Sequence, residues 1–217
     1  MYKRALIYAG GDRITKEGYC NFLQNEGIAE EECLKIAADS GMELARELGT
    51  KCDIWAGDFD SSADEPEKCN DMNCEIERHP VRKDDTDLML AIKIAMKRGI
   101  KDITIFGATG KRLDHTFAAI QALNYVVEEG GSARIIAEDT RMMVVKEGEY
   151  SIGAQEAFTF SLFALSEKVK GLSIEGTEYD GSLDLTYTFP IGVSNKILER
   201  AVIKFESGRL LIICSKE

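Results

Sequence analysis

The chain has 217 residues, a formal charge of −11 at pH 7 and 44% hydrophobic content, enough apolar material for one large domain or two small ones. The acidic balance argues against a nucleic-acid or anionic-membrane surface, because phosphates are met by an excess of Lys and Arg. It leaves room for an anionic small substrate if a divalent cation mediates. No stretch approaches the roughly 20 apolar residues of a membrane span.

The opening "MYKRALIYAGG" carries a basic pair, but its apolar run is too short for a signal peptide, so it reads as a first strand ended by glycines. Further strands are expected at 33–38, 53–57, 74–78, 102–107 and 133–138, after the first at 4–9. Helices are expected at 41–49, 86–99 and 112–131. In the second of these, Leu88, Ala91, Ile92 and Ala95 recur at helical spacing, and Lys97 and Arg98 suit a last turn before a glycine stop. Alternating strands and helices imply a parallel sheet with helices on its faces.

From about residue 141 the texture changes to strand-like pieces punctuated by Gly148, Gly153, Gly176, Asp180–Gly181, Pro190 and Ser207–Gly208. Alternation is clearest at Leu183, Leu185, Tyr187 and Phe189, and again at Ala201, Ile203 and Phe205. Five to seven short strands read as a small antiparallel sandwich. The expected fold is therefore α/β, with a mostly parallel N-terminal sheet and flanking helices over 1–138, followed by an all-β sandwich over 139–217.

Six cysteines include no C-x-x-C pair, and only His79 and His115 accompany them, which argues against a zinc site. Reduced thiols and a cytoplasmic location are expected.

In open α/β sheets ligands bind beyond the carboxyl ends of the strands, and here those ends are unusually polar. They run into Gly10-Gly11-Asp12, Asp39-Ser40-Gly41, "GDFDSS" (57–62), Arg82 to Asp87, and "GATGKRLDH" (107–115). If the backbone stays extended, Asp58 and Asp60 face one way. On a first helical turn Asp84 and Asp87 share a side, and Asp85 is left over. A plain Asp/Ser turn accounts for the first cluster, and acids complementing a helix dipole account for one or two of the second. Three crowded acids repel, and a cation between the clusters relieves that. Magnesium is suited to the task, since it binds through one or two carboxylates plus substrate phosphates. The glycines of 107–110 admit backbone N–H groups to an anion, with Lys111 or Arg112 adding charge. This is not a Walker A loop, because Gly107 and Gly110 are only three apart. His115 fits a packed first turn equally well, and Trp55 on its apolar strand reads as core. Together these features suggest phosphoryl or nucleotidyl chemistry.

The ordered set "ADSG" (38–41), "GDFDS" (57–61), "KDDTD" (83–87), "GATGKRLDH" (107–115) and "GVSN" (192–195) resembles the thiamine pyrophosphokinase family over most of the chain. The resemblance implies transfer of a pyrophosphoryl group from ATP to the hydroxyl of thiamine, giving thiamine diphosphate and AMP with Mg²⁺. It implies a homodimer with sites between the α/β domain of one subunit and the β domain of the other. Carried over by position, Asp58, Asp60, Asp84 and Asp87 would surround the metal and phosphates. Asp39, Lys83, Thr109, Gly110 and Arg112 would hold ATP, with Asp114 and His115 supporting that loop. Ser194 and Asn195 would lie at the thiamine end, with Tyr187 and Phe189 as candidate aromatic partners. Ser40 departs from the family's usual second glycine and would be strained if that position needed positive φ. The rival readings are a magnesium-dependent phosphatase built on Asp58 and Asp60, and a non-enzymatic nucleotide-sensing module.

Overall fold

A computed structural model describes residues 2–59, 74–79 and 85–216. They divide into two compact units, Met1–Glu138 and Asp139–Glu217.

Among the described residues, the first unit is a six-stranded parallel sheet. Its strands are β1 (Arg4–Tyr8), β2 (Cys33–Ala38), β3 (Ile54–Gly57), β4 (Glu75–Arg78), β5 (Asp102–Phe106) and β6 (Ser132–Ile136). They lie in the order β6-β5-β1-β2-β3-β4. The chain winds outward from β1 through β2 and β3 to β4, then returns to the other side of β1 for β5 and β6. The winding therefore reverses between β1 and β5, a topological switch point. The central strands are mostly apolar, as a sheet covered on both faces requires: Ala5 to Tyr8 of β1 and Ile54 to Ala56 of β3 have no exposure at all.

Among the described residues, four α-helices accompany the sheet: α1 (Lys16–Asn25), α2 (Gly41–Leu48), α3 (Asp87–Lys97) and α4 (Leu113–Glu128). The last three fall where the sequence periodicity places them. The first was not expected. Its buried face is short, only Tyr19, Phe22 and Leu23, and Gly18 interrupts it. The readable sign was Thr15, whose hydroxyl accepts from Gly18 N at the helix start. Glu138, just past β6, anchors that start by accepting from Thr15 N at 2.7 Å.

The second unit is antiparallel and contains β7 (Thr140–Gly153), β8 (Phe158–Ala164), β9 (Lys168–Thr177), β10 (Gly181–Thr186) and β11 (Asn195–Lys216). β11 is the organising element. It pairs with β7 along most of its length, with β9 around Val202–Lys204, and with β8 from Leu210 to Lys216. The register shift between Phe205 and Arg209 is a bulge at Ser207–Gly208, so this pair marks a bend within one strand and not a turn between two. Inward residues from β8 to β11, among them Phe160, Leu172, Leu185, Ala201, Ile203, Phe205 and Ile212, form one apolar cluster. The alternation through Leu183 and Leu185 stops early. β10 ends at Thr186, Phe189 N turns back onto Thr186 O, and Tyr187 and Phe189 are exposed.

Candidate active site

At the switch point the backbone of β1 continues beyond its named end and pairs with the segment after β5. Ala9 N donates to Phe106 O at 2.8 Å, Gly11 N to Gly107 O at 2.7 Å, and Asp12 N to Thr109 O at 2.7 Å. This approach needs glycine: a Cβ on Gly11 would run into the carbonyl oxygens of Thr109 and Gly107. Beyond it lies a cleft of about 450 Å³. Its walls come from four places in the chain: Gly10 to Asp12 after β1, Ala38 to Ser40 after β2, Thr86 to Leu88 at the start of α3, and Gly107 to Arg112 with the first turns of α4.

Of the residues singled out in the sequence, Asp39, Asp87, Thr109, Gly110, Arg112 and His115 all line this cleft. Asp87 is the first residue of α3, whose start is capped by Thr86 through a hydrogen bond from Met89 N to its hydroxyl. The cap is therefore supplied by threonine, and the acids of "KDDTD" are not required for it. Asp85 stands apart from Asp87, but not through a helical face: α3 begins at Asp87, Asp85 precedes the Thr86 cap, and both its carboxylate oxygens accept from Lys93 Nζ at 2.7 Å. Asp60, Arg82, Lys83 and Asp84 lie outside the described residues.

Asp58 follows the last residue of β3. The expected alternation across Asp58, Phe59 and Asp60 does not apply, because Phe59 turns left-handed at φ 62 and ends the extended backbone. Asp39 is also left-handed, at φ 47. A non-glycine residue in this region costs on the order of 1 kcal/mol. Ser40, the departure from the family's glycine, has φ −62 and sits in the right-handed region without strain.

At the glycine loop, Arg112 occupies the N-cap position of α4 without capping it. Its guanidinium instead donates to Asp114 Oδ2 at 2.7 Å. That bond holds the Asp114 carboxyl below the usual carboxylate range and raises Arg112 further. Asp114 thus holds Arg112, which lines the cleft, and the 16-residue α4 begins beside it. Such a terminus favours anions. His115 is exposed, 3.9 Å from Asp114, so the packed-turn alternative does not hold.

In the second unit, Asn195 is 6% exposed. Its amide nitrogen donates to Thr177 Oγ1 and Tyr179 O at 3.0 Å, and its Oδ1 accepts from Tyr179 N. These bonds give Asn195 a turn-holding role. Ser194 is exposed, left-handed at φ 56, with its N–H bonded to Ser161 Oγ.

One cleft feature was passed over in the sequence, the small residues of α4, while Asp12 lay in a strand end already singled out and Trp55 was read as core. Asp12 lines the wall against Gly110. Ala118 and Ala119 supply a small-residue floor on α4, signalled only by the "FAAIQ" run. Trp55 is core, with no exposure, but its indole N–H donates to Asp39 O at 2.8 Å.

Comparison with known proteins agrees with this geometry. Residues 26–135 match the family described as thiamin pyrophosphokinase, catalytic domain, and residues 149–210 match thiamin pyrophosphokinase, vitamin B1 binding domain. The chain belongs to the thiamin pyrophosphokinase family. A thiamine pyrophosphokinase of Bacillus subtilis (strain 168) is 29% identical over 195 residues, 88% of this chain and 91% of the relative. A crystal structure of the Bacillus subtilis enzyme superposes with a TM-score of 0.85 at 28% identity, over 99% of this chain and 100% of that one. One of a family protein from Enterococcus faecalis does so at 0.81 and 25% identity, over 99% of each chain. Membership sets aside the phosphatase and sensing alternatives.

Proposed function

We propose that the chain catalyses pyrophosphoryl transfer from ATP to the hydroxyl of thiamine, yielding AMP and thiamine diphosphate. The observation that carries this reading is the convergence of Asp39, Asp87 and the Gly107–Arg112 loop on one cleft at the switch point of the sheet. The loop amides and the start of α4 receive the phosphates, and Arg112 neutralises the oxygens that gain charge as the reaction proceeds. The hydroxyl oxygen of thiamine attacks the β-phosphorus, the bond from that phosphorus to the α–β bridging oxygen breaks, and AMP departs with that oxygen. The hydroxyl proton passes to a carboxylate, Asp84 or Asp87.

The donor set around the cleft fits magnesium. It consists of carboxylates, the hard oxygen ligands that ion prefers. Magnesium commonly completes its shell with substrate phosphates, and no group of three ligand-type side chains forms among the described residues. Asp58 and Asp87, with Asp60 and Asp84, would hold it, and when bound it neutralises phosphate charge. Asp39 and Thr109 with Gly110 would place the nucleotide, joined by Lys83, while Asp114 and His115 support the loop. Ser194 would meet thiamine. A homodimer working in the cytoplasm completes the reading.

The test is direct: purified protein with thiamine and MgATP forms AMP and thiamine diphosphate in equal amounts. Release of ADP, or turnover indifferent to thiamine, overturns it.

A further inference from the structure

Trp55 is the single tryptophan of the chain, and a buried indole N–H requires a partner. The partner here is the main-chain carbonyl of Asp39, the left-handed residue that ends β2 at the cleft. On its other side the same ring meets Phe59, edge to face, with centroids 4.9 Å apart and planes at 83°. Phe59 is the left-handed residue that follows Asp58, and the Arg78 guanidinium lies 5.2 Å from its ring centroid.

One side chain therefore touches both non-glycine residues that adopt positive φ among the described residues of the first unit, one in each of two neighbouring acidic turns. The turns are close as well. Asp39 N donates to Ala56 O at 2.8 Å, and a Cβ at Gly57 would approach Asp39 Cβ to 3.1 Å. Left-handed non-glycine residues persist only where the surroundings over-determine them, and they gather at functional sites. Filling a core calls for volume alone, which phenylalanine or leucine supplies. It does not call for a donor aimed at the carbonyl of a strained cleft residue.

We propose that Trp55 is a positioning residue for the transfer reaction. It clamps the turns after β2 and β3 at one separation and so fixes where the carboxylates of Asp39 and Asp58 stand toward the bound triphosphate. Trp55 does not touch substrate; it acts through the backbone of Asp39 and the ring of Phe59. The inference rests on the activity proposed above.

Trp55→Phe keeps an aromatic filler and removes the N–H donor. The expected result is a folded protein in which kcat falls roughly tenfold to a hundredfold, the scale of a misplaced catalytic group, while KM for thiamine stays within about twofold. Phe59→Gly accepts the left-handed backbone but loses the ring contact, and it should lower kcat in the same way. Because the two side chains serve one clamp, the double variant should lose less than the product of the single losses. A second measurement uses the unaltered protein: addition of MgATP without thiamine shifts the emission of this lone tryptophan, since only the Asp39 backbone separates it from the cleft. Full kcat in Trp55→Phe with a lowered melting temperature overturns the proposal, as does emission unmoved by saturating ATP. Wild-type turnover reports on the activity itself, so a failure there is distinct from a failure of the clamp.

Discussion

The two ends of the parallel sheet are built from the same strands but carry opposite kinds of charge arrangement. At the amino end, charges sit in short local pairs: Arg4 with Asp102 at 2.6 Å, Lys35 with Asp53 at 3.7 Å, and Arg98 with Glu75 at 2.7 Å. At the carboxyl end, backbone turns with glycines and left-handed residues gather Asp12, Asp39 and Asp87 around a common cleft. Charge alone does not mark the functional end, because both ends have it. The mark is the cost accepted by non-glycine backbone: among the described residues of the first unit, the left-handed Asp39 and Phe59 both lie at the carboxyl end.

The sharpest way to break this contrast is within one acidic run. Asp87→Ala should reduce kcat by roughly a hundredfold or more, as loss of a group acting on developing charge does, whereas Asp85→Ala, which only frees Lys93, should stay within about twofold. Steady-state AMP formation decides, and equal losses would refute the separation of the two acids.

Next comes the backbone. Gly11→Ala places a methyl against two carbonyl oxygens and should destabilise by about 3 kcal/mol, in the range of severe packing clashes. Gly99, near the amino end, also has positive φ, at 81, but a Cβ there meets nothing within 4 Å. Gly99→Ala should therefore cost only about 1 kcal/mol, the left-handed penalty. Urea denaturation of the two variants measures the difference.

Between the two ends, burial pushes the phenols of Tyr8 and Tyr19 above their ordinary range, and their hydroxyls bond each other at 2.7 Å. Unfolded phenols titrate near 10, so above about pH 10 the unfolded state holds fewer protons than the folded one. Stability contributed by these neutral phenols is full below that pH and is lost as pH rises. Melting temperature against pH should drop through the alkaline range, with a shallower drop in Tyr19→Phe. The smallest effect belongs to the amino end: Arg4→Ala should cost about 0.5–1 kcal/mol as a partly exposed pair and leave kcat unchanged.

Much of the first unit was legible because its inner strands are largely apolar and α2 to α4 keep their periods. The placement of Asp39 and Asp87 in one cleft followed from strand order alone, since any α/β winding puts strand ends together. The parts that escaped depend on contacts distant in sequence. The buried face of α1 has only three residues, too few to set a period. Phe59 reads as an ordinary strand residue, and its turn is set by Trp55 and Arg78. Asn195 sits in a motif that suggested substrate contact, yet its amide is engaged by Thr177 and Tyr179, a pairing that folding alone creates.

The 22-residue β11 also determines how the second unit assembles. β9 and β10 form a local hairpin, whereas β7 and β8 find their long pairings on β11. Those partners precede it in the chain, so their apolar faces have nowhere to close until residues 195–216 arrive. Closure over such separations is slow compared with helix or hairpin formation. Within the second unit the slow step should therefore lie at β11, far in sequence from the residues proposed to handle phosphate. A destabilising change there would show first as slow refolding and loss to aggregation, with the specific activity of the molecules that do fold left intact.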